Sequence, residues 1–161
     1  MEGILARRFL WPFFFFLTLV IGGVSLFCYR SFTTERCSEV PTVAINGRIW
    51  TVAIADTVES RRQGLSDTPS LAHDRVMLFV FPDVAIREFW MKDMHYPLDI
   101  IWISADHRVV GAATGVTPGS YPNTFTSPSA VPYVLEVNAG LVDDLGIASG
   151  TIVTFEGCHR L

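Results

Sequence analysis

The chain has 161 residues, half of them hydrophobic, and a formal net charge of −4. A chain of this length has room for one domain. The charge is uneven: residues 37–161 contain eight Lys and Arg against fourteen Asp and Glu, a net charge of −6. Because the few basic side chains are scattered through an acidic segment, the composition argues against nucleic-acid binding.

The N-terminal segment is predicted to lie in a membrane. Residues 9–27 form a run of nineteen without a charged side chain, and an α-helix needs roughly 17–25 such residues to cross the hydrocarbon core. Arg7 and Arg8 precede the run and favour a cytoplasmic N-terminus. We therefore expect four segments: a cytoplasmic N-terminus (1–8), a transmembrane anchor or uncleaved signal (9–29), a linker (30–41) and a β-rich domain (42–161).

The predicted location is the bacterial cytoplasmic membrane, crossed once, with the C-terminal domain outside the cytoplasm. A cleaved signal peptide is the alternative, and would leave a secreted domain. Signal peptides have a shorter apolar region, about 7–15 residues, followed by a small-x-small cleavage site. Gly23 and Ser25 could supply that site, but Leu26 and Phe27 continue the apolar run directly after it. We favour the uncleaved anchor.

Two of the three cysteines, Cys37 and Cys158, bracket the domain. A disulfide between them suits an extracytoplasmic compartment. It would contribute at most about 4–5 kcal/mol in the chain-entropy model, because the loop it closes is long. The alternative is a pair of free thiols near the two ends of the domain.

The domain begins with a predicted hairpin and a short helix. Residues 42–55 read TVAI-NG-RIWTVAIA, and Asn-Gly between two β-branched runs predicts a type I′ turn, which requires positive φ at both central residues. Asp56 is the expected N-cap of the helix, with Glu59 as its capping-box partner. Gly64 is expected to end the helix.

The remaining elements are mostly predicted strands. Residues 76–81 (VMLFVF) are continuously apolar, as expected of a strand covered on both faces, and Pro82 is expected to end it. A helical turn or two is expected over residues 140–145. The other predicted strands are 87–91, 98–104, 108–113, 133–138 and 151–156.

This pattern predicts a mostly β, compact barrel-like or sandwich domain of seven to eight short strands with two short helices, preceded by an N-terminal transmembrane helix.

Five stretches resemble a known family: RRQGLSDTPSL, MLFVF, FWMKDMHYPLDIIWI, PYVLEVNAG and LGIASGTIV. In this order they closely resemble the domain of unknown function 192 family of prokaryotic proteins, from about Arg48 to Glu156. The resemblance implies a small, mostly β, barrel-like fold, often behind a signal or an anchor. It implies no established activity.

The most informative stretch for function is residues 89–99, which contain one Lys, two Asp, one His and three aromatic side chains. One interpretation is a shallow pocket in which Trp90 contacts a ligand while Lys92 and Asp99 orient it. The long proline-rich loop that contains Tyr121 has two interpretations: it folds over this hairpin as a lid or partner-binding edge, or it is a rigid connector. The alternative is that Lys92 pairs with Asp99 across the hairpin and Trp90 belongs to the core.

Glu136 is a carboxyl group in the middle of a predicted strand, YVLEVN. It either faces solvent or is held by a donor such as Lys92 or Arg61. If it lay close to Asp99, one of the two carboxyl groups would have a raised pKa and could act as a general acid.

No metal site or cofactor is predicted. The four His residues are isolated, and the sequence contains no paired-Cys motif and no phosphate-binding loop. The leading hypothesis is a membrane-tethered extracytoplasmic binding or interaction module, with an envelope ligand or a membrane protein as its partner. The alternatives are a hydrolase of cell-envelope material using the Asp99 and Glu136 carboxyl groups, and a structural accessory to a membrane protein.

Overall fold

The structure is a computed structural model and describes residues 40–157. The predicted membrane segment (9–29) and the predicted Cys37–Cys158 disulfide lie outside the described residues. Within residues 40–157, no helix has both the length and the apolar character needed to cross a bilayer.

The described residues are mostly β-strand. The strands are β1 (Thr42–Ile45), β2 (Arg48–Ala55), β3 (Arg75–Ala85), β4 (Glu88–Trp90), β5 (Leu98–Ile103), β6 (Val109–Val116), β7 (Thr124–Thr126), β8 (Val131–Asn138) and β9 (Val153–Glu156). The α-helices are α1 (Val58–Gln63) and α2 (Leu141–Asp144), and a short 3-10 helix covers Pro118–Ser120.

Seven of these strands form one mixed sheet in the order β6-β5-β8-β3-β2-β1-β9, and β4 pairs with β7 in a separate two-stranded sheet. All neighbours are antiparallel except β2 and β3, which are parallel and joined through α1. The two outermost strands approach each other at one end, where Arg108 bridges Ile152 and the Val109 amide donates to the Thr151 carbonyl. The sheet is therefore a half-barrel, in agreement with the predicted mostly β, barrel-like class.

The predicted Asn-Gly hairpin is confirmed. β1 and β2 pair antiparallel up to Ile45 and Arg48, and the two residues between them, Asn46 and Gly47, have φ of 47° and 82°. Positive φ at both positions is what the type I′ turn demands.

The predicted N-cap of α1 is wrong by one residue. Thr57, not Asp56, has the extended backbone of an N-cap, and its hydroxyl accepts a hydrogen bond from the Ser60 amide at 3.0 Å. The Ser60 hydroxyl accepts one from the Thr57 amide in return, so Ser60 takes the place predicted for Glu59 in the capping box. The hydroxyl groups of Thr57 and Ser60 are sufficient to close the capping box, so the box does not need the predicted carboxyl groups of Asp56 and Glu59. Gly64 ends the helix as expected.

Pro82 does not end its strand, because β3 continues to Ala85. The pairing of β3 with β8 shifts between Val80 and Ala85. A proline lacks the backbone N–H that a regular ladder uses, and it is tolerated where the ladder is irregular. Strand β7, inside the proline-rich loop, was not predicted, since a three-residue strand leaves almost no periodic signal.

The seven-stranded sheet buries apolar side chains on both of its faces. One cluster, within the curve of the sheet, includes Trp50, Ile101 and Leu135. The other includes Phe79 and Ile100, and partly buried Phe89 and Met94 pack against it. Segments from β4 and from the loop after it therefore cover this second face, and they form the walls of the candidate site.

Candidate functional site

Glu136 lies in β8, an interior strand of the sheet between β5 and β3. It pairs with Met77 of β3 on one side and with Ile100 of β5 on the other. Its side chain is only 6% exposed. Directly paired antiparallel residues point to the same face, so Glu136 faces the cluster that contains Met77 and Ile100.

A cavity of about 210 Å³ opens above this carboxyl group. Helix α1 and the segment after it form one wall, and β3 and β4 contribute aromatic side chains. The lining residues that carry the argument below are Arg61, Arg62, Phe79, Phe81, Phe89, Trp90 and Glu136.

Burial raises the pKa of Glu136 to about 8. Its Oε2 is buried and has no hydrogen-bond partner among the described residues. An ionised carboxylate is disfavoured in such surroundings, because burial strips away part of its hydration shell and no described residue donates to Oε2. At neutral pH the group is therefore mainly a neutral acid with one O–H donor.

Arg61 is the basic side chain that the fold holds most firmly beside this cavity. One of its terminal nitrogens donates to the carbonyls of Asp56 and Val80, at 2.5 and 2.8 Å. Its guanidinium also lies over the Phe81 ring, 5.2 Å from the centroid. These contacts fix a positive charge at the wall of the cavity, a few residues from the α1 N-terminus.

Trp90 and Tyr121 are brought together, as the pocket interpretation predicted. Their ring centroids are 6.2 Å apart in an edge-to-face arrangement. They remain 52% and 46% exposed, so the alternative of a core Trp90 is not supported. Trp90 lines the cavity, and Tyr121 extends the aromatic surface outward from it.

Lys92 does not share that surface. β4 ends at Trp90, and Asp93 has a positive φ of 56°, so the chain turns and the strand alternation that would align Trp90 with Lys92 is lost. The Lys92 ammonium is half exposed and lies 3.8 Å from the Asp93 carboxylate. It pairs with this neighbour and not with Asp99.

Asp99 is fully buried, and its carboxylate serves to hold the fold together. One carboxylate oxygen accepts from the Gly115 amide at 2.8 Å, and the other accepts from the Val142 amide at 2.9 Å. The side chain thus joins the end of β6 to the first turn of α2. It does not line the cavity that contains Trp90, and the prediction of a shared pocket with Asp99 is not supported.

The two carboxyl groups of the hydrolase alternative do not converge. Asp99 pairs with Val137, and Glu136 pairs with the next residue, Ile100. Successive residues of a strand point to opposite faces of the sheet, so Asp99 and Glu136 project in opposite directions, with the central sheet between them.

The aromatic walls from β3, Phe79 and Phe81, were not recognised as site residues from the sequence. Their strand reads as continuously apolar, so nothing in it separates core residues from residues that border a cavity. The signal that was available is Glu136 itself, a carboxyl group inside an otherwise apolar strand. The prediction that Glu136 faces solvent or is held by Lys92 or Arg61 is not supported. Glu136 is buried, and the hydrogen bonds of Arg61 go to backbone carbonyls, although Arg61 and Glu136 line the same cavity.

Comparison with known proteins identifies the family. The family model for DUF192, described as uncharacterised, matches residues 41–155. The chain belongs to this family.

Two curated relatives are UPF0127 proteins of archaea. The protein from Thermococcus gammatolerans is 28% identical over 117 residues, covering 68% of this chain and 71% of the relative. The protein from Thermococcus kodakarensis is 28% identical over 116 residues, covering 68% of each chain.

Solved structures share the fold of this DUF192 chain. A protein of unknown function from Novosphingobium aromaticivorans has a TM-score of 0.66 at 27% identity, covering 76% of this chain and 91% of the other. A protein from Sinorhizobium meliloti, described as a candidate transcription regulator, has a TM-score of 0.64 at 33% identity, covering 73% and 91%.

Proposed function

We propose that this DUF192 protein is a membrane-tethered module that binds a small molecule in the Glu136 cavity, with its domain outside the cytoplasm. The tether is the apolar run of residues 9–27. The binding site is the cavity bordered by α1, β3 and β4. The observation that carries the proposal is the buried carboxyl group whose Oε2 has no hydrogen-bond partner in the described part of the chain.

A buried polar group without a partner costs about 1–3 kcal/mol of stability. An apolar side chain of similar size would avoid that cost at a position whose strand neighbours, Leu135 and Val137, are apolar and buried. Such unsatisfied groups are uncommon in native folds and call for an explanation. A ligand that completes the hydrogen bonding of Glu136 supplies one.

The shape of the site supports the same proposal. The cavity is small and concave, and it combines aromatic walls with polar and charged side chains that could orient a ligand, as small-molecule sites do. Exposed Trp90 and Tyr121 lie where a ligand would enter. The carboxylate-pair hydrolase has no comparable support, because Asp99 lies on the other face of the sheet and is bound to two backbone amides.

The test is ligand-observed NMR on the full-length protein in detergent, screened against small molecules from the cell envelope. We expect binding that Glu136→Leu abolishes and that Trp90→Ala weakens. Lys92→Ala is the matched control, because Lys92 is exposed and outside the cavity lining. Glu136→Leu removes an unpaired polar group and should fold, which far-UV circular dichroism checks.

Two outcomes would reject the proposal. One is a screen in which no compound binds. The other is binding that persists unchanged in Glu136→Leu. Co-purification of the protein with one membrane protein, combined with an empty screen, would favour the structural-accessory alternative.

A further inference from the structure

We propose that the Glu136 cavity selects a small organic carboxylate, which accepts a hydrogen bond from the Glu136 acid while its apolar part packs on Phe79, Phe89 and Trp90. This inference rests on the proposed function and assigns a chemical class to its ligand. Three observations support it: the Glu136 carboxyl group whose Oε2 lacks a hydrogen-bond partner among the described residues, the charges around the cavity, and the size and lining of the cavity.

The charges around the cavity favour an anion. Arg61 and Arg62 line it from α1, and Glu88 lines it from β4. The Tyr96 hydroxyl, which is hydrogen bonded to Thr68 at 2.6 Å, also interacts electrostatically with Glu136. With Glu136 neutral, the cavity carries two positive charges and one negative charge, so an anionic group is attracted and a cationic group is repelled.

Two guanidinium groups already lie over one of the aromatic rings that line the cavity, although one of them, Arg87, is paired with Asp83. Arg87 lies over the Phe81 ring at 3.8 Å from the centroid, and Arg61 lies 5.2 Å from the same centroid. Guanidinium groups therefore already occupy the ring that a ligand cation would contact. A cation entering the cavity would have to compete with both of them for the π-system of Phe81.

The Glu136 acid fits a carboxylate better than a neutral acceptor. A protonated carboxyl group has one O–H donor, and the O–H···O⁻ bond to an ionised acceptor is about twice as strong as a bond between neutral partners. The proton remains between two oxygens, so the bound pair carries a single negative charge. The Arg61 guanidinium at the same wall can offset this charge.

Size and lining restrict the rest of the ligand. The cavity of about 210 Å³ is smaller than the roughly 300–1,000 Å³ typical of drug-sized ligands. Phe79 and Phe89 meet edge to face with centroids 4.8 Å apart, and they offer an apolar wall. A carboxylate on a single ring or a short aliphatic chain satisfies both constraints.

The experiment titrates the full-length protein in detergent with benzoate and with benzylamine at pH 7 and pH 9. The two probes share a ring and differ in the sign of their charge. Since the pKa of Glu136 is about 8, the protonated fraction falls about tenfold between these pH values. We expect benzoate affinity to fall by about the same factor, because only the protonated form is competent to bind.

Two variants of Glu136 distinguish the effect of its hydrogen-bond donor from the effect of its ionisation. Glu136→Gln keeps a donor that does not titrate, so benzoate should still bind at pH 7 but without the tenfold loss at pH 9. Glu136→Leu removes the donor and should weaken benzoate binding at least tenfold. Lys92→Ala should behave as the wild-type protein in every titration.

The other possible results overturn either the carboxylate inference alone or the proposed function as well. Benzylamine binding more tightly than benzoate, in a manner that requires Glu136, would overturn the carboxylate inference and leave the proposed cavity function intact. Benzoate binding that is equal at both pH values in the wild-type protein would also overturn the inference. If neither probe binds, the carboxylate inference fails, while the proposed function is still decided by the screen of envelope compounds. If a probe binds and Glu136→Leu changes nothing, both the inference and the proposed function fail.

Discussion

At the residue scale, two buried acidic side chains on neighbouring strands have opposite environments. Both Asp99 oxygens accept hydrogen bonds from backbone N–H groups, whereas Glu136 Oε2 has no hydrogen-bond partner within residues 40–157. Burial raises the pKa of Glu136 and so favours its neutral form. Glu136 can therefore hydrogen bond to a ligand, whereas Asp99 stabilises the fold.

The pKa of Glu136 predicts a pH-dependent stability. Its folded-state value of about 8 exceeds the ordinary 4.5, so ionisation opposes folding, and the free energy of unfolding should fall as pH rises from about 4.5 to about 8. The difference of about 3.5 between the two pKa values corresponds to at most about 5 kcal/mol. The measurement is urea unfolding at several pH values for wild-type protein and Glu136→Gln.

Comparing wild-type protein with Glu136→Gln isolates the contribution of position 136 to the pH dependence of stability. Other titrating groups affect both proteins equally, so the difference between the two unfolding curves belongs to position 136. Relative to wild type, Glu136→Gln should gain stability as pH rises from about 4.5 to about 8, and the difference should level off above that pH. Parallel pH profiles for the two proteins would contradict the assignment.

Asp99→Asn is predicted to destabilise the fold by about 2–3 kcal/mol. An amide has one acceptor oxygen, so either the Gly115 or the Val142 N–H loses its partner, and the new NH₂ group is buried without an acceptor. Chemical denaturation measures the loss. Asp93→Asn is the control, since Asp93 is exposed and has a positive φ that Asn tolerates; it should change stability by less than about 0.5 kcal/mol. An equal effect in the two variants would reject the structural role of Asp99.

At the element scale, short motifs with a defined backbone requirement were predicted well. The Asn-Gly turn, the stop of α1 at Gly64 and most of the strands are confirmed, because each depends on residues adjacent in the chain. The N-cap was placed one residue early, since Asp56, Thr57 and Ser60 are all capable of capping. The choice depends on which residue takes the extended backbone where β2 ends, and β2 is positioned by its pairing with β3.

The cap of α1 gives an element-scale prediction. Thr57→Ala removes the acceptor for the Ser60 amide and should cost about 1 kcal/mol, measured by thermal or chemical unfolding. Thr117→Ala is the matched control, because Thr117 precedes the 3-10 helix without a side-chain capping hydrogen bond. If Thr117→Ala is as costly as Thr57→Ala, the capping box does not contribute as described.

At the scale of the whole molecule, the proposed tether predicts the location of the protein. Full-length protein expressed in bacteria should remain in the membrane fraction after carbonate washing, because a long uncharged apolar helix prefers lipid to water. Protease added to spheroplasts should degrade the domain of residues 42–161 while a cytoplasmic marker survives. Recovery of intact protein from the cytosol, with Cys37 and Cys158 reduced, would contradict the proposal.

The sequence alone determined the family, the mostly β class and most of the element order. These follow from local patterns: the Asn-Gly turn, the apolar run of β3 and the ordered motifs between Arg48 and Glu156. Local patterns carry this information because turn geometry and strand alternation depend on residues that are neighbours in the chain.

Only the tertiary structure decided which polar groups share a site. Trp90 contacts Tyr121, thirty-one positions away in the chain, and Glu136 and Arg61 line the same cavity. Asp99 was expected beside Trp90, but strand pairing turns it to the other face of the sheet. The register between β5 and β8 sets that direction, and a slip of one residue would reverse it. Register depends on contacts between segments far apart in the chain, and no local pattern specifies it.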